Sequence, residues 1–116
     1  MIPDYQMLMR PILECVSSGE GAINDVVEKL ADRFKLTDEE RAELLPSGKQ
    51  TRFTNRVNWA KSYLKQAGLV SITRRGYFEI TDKGHVALSD PSTKINNAYL
   101  EQFESFSRFQ ESNKGS

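Results

Sequence analysis

Residues 51–81 read TRFTNRVNWAKSYLKQAGLVSITRRGYFEIT, and within them the apolar period changes once. From Phe53, the side chains of Val57, Ala60, Leu64 and Ala67 follow at steps of 4, 3, 4 and 3. That spacing is one narrow stripe on a helix of roughly four to five turns. Gly68 supplies the left-handed residue on which such helices end. Beyond it, residues 69–73 and 77–81 read as strands, joined by Arg74, Arg75 and Gly76. A short link containing glycine between two such runs predicts a hairpin.

Working outward, Thr37 and Glu40 form a capping box for a short acidic helix, predicted to end near Leu45 because Pro46 disfavours helical geometry before it. Ser47-Gly48 is then a turn. Asn24 is the expected cap of an earlier helix with Val27, Leu30, Ala31 and Phe34 as its buried stripe. Asp4 caps a first helix with Leu8, Ile12, Cys15 and Val16 at helical spacing, ended by the cluster at residues 17–21. On the other side, Thr81 caps a short helix carrying Val86 and Leu88, and Asp90-Pro91-Ser92 breaks the chain. A last helix, from Ile95 to about Phe109, sets Ile95, Tyr99, Phe103, Phe106 and Phe109 roughly on one side. The order predicts a mainly α fold with a small β-hairpin wing, a winged helix-turn-helix. One domain over residues 1–110 is expected, with 111–116 as a tail.

The formal net charge is zero, but it is unevenly spread. Residues 1–46 hold 10 acids and 5 bases, and residues 79–116 hold 6 acids and 4 bases. Between them, residues 47–78 hold Lys49, Arg52, Arg56, Lys61, Lys65, Arg74 and Arg75 with no acid at all. A solvated surface mixes both signs, whereas an all-basic one suits a polyanion. Cys15 is the sole cysteine, which excludes an internal disulfide and a Cys-rich zinc site. The N-terminus has neither a signal-peptide pattern nor an apolar run of membrane length, so a cytoplasmic setting is expected.

No catalytic constellation is apparent. His85 is the single histidine, without a cysteine or carboxylate at ligand spacing. The acids Asp38, Glu39, Glu40 and Glu43 form a run suited to solvating a surface helix or contacting a partner, and no Gly-rich phosphate loop occurs. We therefore expect no enzyme activity, no metal and no cofactor.

The long helix instead carries a binding surface. Opposite its apolar stripe stand Asn55, Asn58, Ser62 and Gln66, flanked by Arg52 and Lys65. Amides, hydroxyls and guanidinium groups are the side chains that read base edges or grip phosphates. Lys49, Gln50, Thr51 and Arg52 fall at the start of this helix, whose free amides favour an anion. Arg56 lies nearer the core side, where it either grips phosphate or pairs with the acidic first helices. Arg74 and Arg75 occupy the hairpin tip, where the fold itself requires no charge. Trp59 and Tyr63, on the flank, are expected to pack against a neighbouring element. Double-stranded DNA is the expected partner, with a protein-interaction or dimerisation module as the alternative. In the last helix, Ile95, Tyr99 and Phe103 are expected to pack on the first helix, and Phe106 and Phe109 to meet something outside the domain, a second copy or a following domain.

The stretches IPDYQMLMRPIL, LTDEERAELLPSGKQTRFTNRVNWAKSYLKQAGL and RRGYFEITDKG together resemble the N-terminal domain of Mrr-type restriction endonucleases. LLPSG followed by NRVNWA is the most specific part, and the resemblance runs from about Ile2 to Phe109. It implies a winged helix that recognises DNA, followed in that family by a nuclease domain that cuts DNA carrying modified bases. The family's helix motif falls on Arg52, Asn55, Arg56, Asn58 and Trp59, and its wing motif on Arg74, Arg75, Gly76 and Phe78. The nuclease domain is expected to be absent from this chain.

Overall fold

A computed structural model describes the backbone of residues 2–114 and the side chains of residues 2–109. Helix α1 (Tyr5–Cys15) begins where the Asp4 carboxylate accepts the Met7 N–H at 2.9 Å, and it buries Leu8, Met9, Ile12 and Leu13. Helix α2 (Ile23–Arg33) follows a two-residue strand β1 (Gly21–Ala22). Asn24 does not cap α2. Ala22 is the cap residue and offers no side-chain bond. The physical reason is the sheet: Gly21 pairs with Phe78, Ala22 pairs with Tyr77, and the Ile23 N–H donates to the Gly76 carbonyl at 2.9 Å. Helix entry is thereby fixed from outside, and the buried stripe is Val26, Leu30 and Ala31, with Val27 and Phe34 only half-buried.

Helix α3 (Asp38–Ala42) carries the full capping box, Thr37 accepting from the Glu40 N–H and Glu40 from the Thr37 N–H. It stops earlier than Leu45, because residues 43–52 fold back as a small hairpin. Leu44 bridges Thr51, Leu45 N–H donates to Gln50, and Arg52 N–H donates to Glu43. Gly48 turns this hairpin with φ +72°, a conformation open to glycine.

Helix α4 (Arg52–Ala67) is followed by strands β2 (Val70–Arg74) and β3 (Tyr77–Ile80), and the antiparallel sheet has the order β1-β3-β2. Helices α1, α2 and α4 enclose the core, closed on one side by Leu69, Val70 and Phe78. This is a winged-helix-like arrangement, mainly α with a small sheet. In helix α5 (Asp82–Ser89), capped by Thr81, Ala87 is the buried aliphatic residue, while Val86 points to solvent at 67% exposure. Arg10 of α1 reaches across to this region and donates to the carbonyls of Asp90 (3.1 Å) and Thr93 (2.9 Å).

The expected last helix is two. Helix α6 (Asn97–Leu100) and helix α7 (Glu104–Lys114) are separated by a turn at residues 101–103. Leu100 and Phe106 are both fully buried, yet on one continuous helix residues six apart stand about 120° from each other. Breaking the helix brings both into one core. Phe106 therefore does not face outward: it packs on Tyr63 of α4 with ring centroids 5.5 Å apart. Phe109 joins the same ring cluster, 5.6 Å from Tyr63, and is half-buried. Both residues fill this domain, which removes the aromatic patch from which a homodimer seam was expected. Helix α7 runs on to Lys114 through the start of the expected tail, and residues 115 and 116 lie outside the described residues.

Candidate nucleic-acid interface

The start and end of α4 are set locally. Thr51 accepts the Thr54 N–H at 3.2 Å, and Gly68 closes the helix with φ +85°. Phe53, Val57, Ala60, Leu64 and Ala67 are all buried, so the stripe read from the sequence is the one that faces the core. The opposite side is fixed by that rotation. Asn55, Asn58 and Ser62 lie there beside Trp59 and line one shallow depression of about 230 Å³. Asn58 donates to the Thr54 carbonyl at 3.0 Å, and Asn55 donates to the Gln50 side chain at 3.2 Å. Both amides are thus tethered before any ligand arrives.

The flank aromatics part company. Tyr63 is enclosed by the rings of Tyr5, Phe106 and Phe109 at centroid distances of 5.1, 5.5 and 5.6 Å. Burial raises its phenol pKa, and the neighbouring Tyr5 adds to the rise. Trp59 makes a T-shaped contact with Tyr63, at 6.0 Å between centroids, and remains 50% exposed. It thus packs on one side and stays open on the other. Sequence spacing places Trp59 on the flank without revealing which face of the ring the fold covers.

The cations fall into two groups. Some are already engaged within the chain. Arg52 pairs with Glu43 at 2.8 Å. Arg74 pairs with Glu20 at 3.2 Å and lies 3.9 Å over the Tyr77 ring. Arg56 takes the structural role, though not with the acidic helices: it donates to the carbonyls of Ile2 and Pro3 at 3.0 and 3.2 Å, fastening the N-terminal segment to α4. Lys61 lies 5.8 Å from the Phe78 ring, and burial, with Lys65 nearby, pulls its pKa below the ordinary lysine value. Lys49, Lys65 and Arg75 are exposed and, among the described residues, form no ion pair.

Lys49, Gln50, Thr51 and Arg52 are gathered at the start of α4 by the hairpin at residues 43–52, an element the sequence reading had only as a turn. Lys65 occupies the last turn of α4. Arg74 ends β2 just after a register slip between Ile72 and Arg74, and Arg75 with Gly76 (φ +80°) makes the wing tip. The candidate residues therefore stand along one helix and at the hairpins before and after it, with Arg56 of the same helix turned to the N-terminal segment instead. Among the described residues no group of three or more metal-binding side chains is present, and no helix is long and apolar enough to cross a membrane.

Comparison with known proteins gives this arrangement a family. A type IV methyl-directed restriction enzyme of Escherichia coli strain K12, EcoKMrr, is 38% identical over 85 residues, which are 72% of this chain and 28% of that enzyme. The chain thus spans under a third of the curated relative it matches. No solved structure matches it. The Mrr N-terminal domain model matches residues 5–90, from the first turn of α1 past the end of α5. With α1 to α5, the sheet and the polar α4 face all inside that match, the chain belongs to the Mrr N-terminal domain family.

Proposed function

We propose that this chain is the DNA-recognition module of a restriction system directed at methylated DNA. In this reading α4 enters the major groove of double-stranded DNA, the ridge of Asn55, Asn58 and Ser62 reads base edges, and Lys49, Arg52, Lys65, Arg74 and Arg75 hold phosphates on either side. The observation that carries it is the surface of α4, uncharged along its centre and bordered by cations, in a stretch from residue 47 to 78 with no acid. The kinship with a methyl-directed restriction enzyme supports the modified target. Because the match covers only 28% of that enzyme, we assign recognition to this chain and leave cleavage to sequence beyond the match.

Titration of a labelled duplex at two salt concentrations tests the reading. Affinity should fall steeply with salt, as it does wherever phosphate contacts dominate. Replacing Arg74→Ala and Arg75→Ala together should weaken binding to every sequence alike and lower the log–log salt slope by roughly 2, one per lost contact. A folded double variant with unchanged affinity removes the wing from the interface. Binding to a protein partner with little response to salt would favour the interaction-module alternative.

A further inference from the structure

The depression on α4 holds one side chain that generic phosphate or base-edge binding does not need: a tryptophan at its flank, left half in water. An indole exposed on a polar helix ridge forgoes burial that most aromatics find. Its position is also unusually well fixed. Trp59 meets Tyr63 in a T-shaped contact, and Tyr63 is held by three further rings, so the indole is braced on that side while half of its surface stays exposed. Around that open surface, Asn55, Asn58 and Ser62 complete the depression. Asn55 and Asn58 each commit an N–H to a neighbour, to Gln50 and Thr54, and among the described residues neither amide oxygen receives a donor. The Ser62 hydroxyl also has no partner among those residues. The depression therefore combines free hydrogen-bond acceptors with an apolar ring face.

We propose that Trp59 is the residue that senses methylation, receiving the methyl group of a modified base on its indole while Asn55, Asn58 or Ser62 accepts the exocyclic amino N–H beside it. This rests on the proposal that α4 lies in the major groove. The complement is a base edge presenting an amino N–H next to a methyl. In the major groove that pair is offered by 5-methylcytosine, through N4 and the C5 methyl, whereas N6-methyladenine spends its remaining N6–H on the pair with thymine and presents its methyl alone. Unmodified cytosine offers the donor without the methyl and thymine the methyl without the donor, so the two contacts coincide only with the mark.

The test uses one mixed-sequence duplex prepared with ordinary nucleotides, with 5-methylcytosine at every cytosine, or with N6-methyladenine at every adenine, so that every context carries the mark. The wild-type chain should bind the 5-methylcytosine duplex roughly fourfold more tightly than the plain one, the worth of one buried methyl. Trp59→Ala should bind all three with equal affinity, and Trp59→Phe should retain part of the preference. Since Trp59 is the sole tryptophan, its emission in the unmutated chain should be better shielded from acrylamide by the preferred duplex than by plain DNA. A preference for the N6-methyladenine duplex instead overturns the part given to the Asn55, Asn58 and Ser62 acceptors. Salt-dependent binding without preference for either mark, or a preference that survives in Trp59→Ala, overturns the role given to Trp59. Absence of salt-dependent binding to all three duplexes overturns the groove-binding proposal beneath it.

Discussion

At Gly84 the packing admits nothing larger than hydrogen. A methyl there would run into the Leu69 carbonyl oxygen, which is backbone, and into Ile80 Cγ1 at 2.5 Å. Because a carbonyl in a paired segment cannot swing aside, Gly84→Ala should cost about 1–3 kcal/mol, read as a lower urea midpoint at unchanged slope. Glu43 poses a different question. Its carboxylate occupies the guanidinium of Arg52 that a phosphate would need. Both side chains are more than a third exposed, so solvent screens the pair and it adds little to stability. Glu43→Gln should leave the melting curve nearly unmoved. If Arg52 grips phosphate, it should tighten binding to plain duplex DNA at low salt by up to about fivefold. An affinity equal to that of the parent chain would take Arg52 off the contact surface.

Helix α4 couples these residues to the core. Phe53 and Leu64, two and zero per cent exposed, lie on its buried stripe, and truncating either to alanine should lower stability by about 2–5 kcal/mol in chemical denaturation. The helix was fully legible in the sequence because its signals are local: a threonine cap, an unbroken 4-3-4-3 period and a terminal glycine. Strand β1 was not legible. Two residues, Gly21 and Ala22, have no period to display, and they become a strand only because β3 lies beside them. The break between α6 and α7 was hidden for the opposite reason. Tyr99, Phe103, Phe106 and Phe109 fit a single helical face well, and only the demand that Leu100 be buried as well divides them. Within the candidate site, residue types and charge could be read in advance. Their internal partners could not, since Arg56 finds carbonyls 53 and 54 residues away and Arg74 finds an acid from before β1.

For the molecule as a whole, the boundary of the fold lies beyond the boundary of the family match. That match ends at residue 90, but Ile95, Leu100 and Phe106 belong to the same buried cluster as Leu8 and Leu64. Phe106→Ala should therefore destabilise the domain by about 3–5 kcal/mol, as the loss of a large core aromatic does, rather than change its state of association. Equilibrium unfolding together with sedimentation of the variant separates the two. Stability equal to the parent's would place α7 outside the cooperative unit. The clamp formed by Arg10 has its own consequence. Arg10 closes on Thr93, 83 residues later, and Tyr5 meets Asn97, 92 residues later, so the first helix is completed by the last third of the chain. During synthesis, which proceeds from the N-terminus, these bonds form last, after α1, α2 and α4 are all available to build their shared core. A ribosome stalled near the end of the family match would display a chain whose α1–α4 contact can form but whose Tyr63 side still lacks the rings of Phe106 and Phe109.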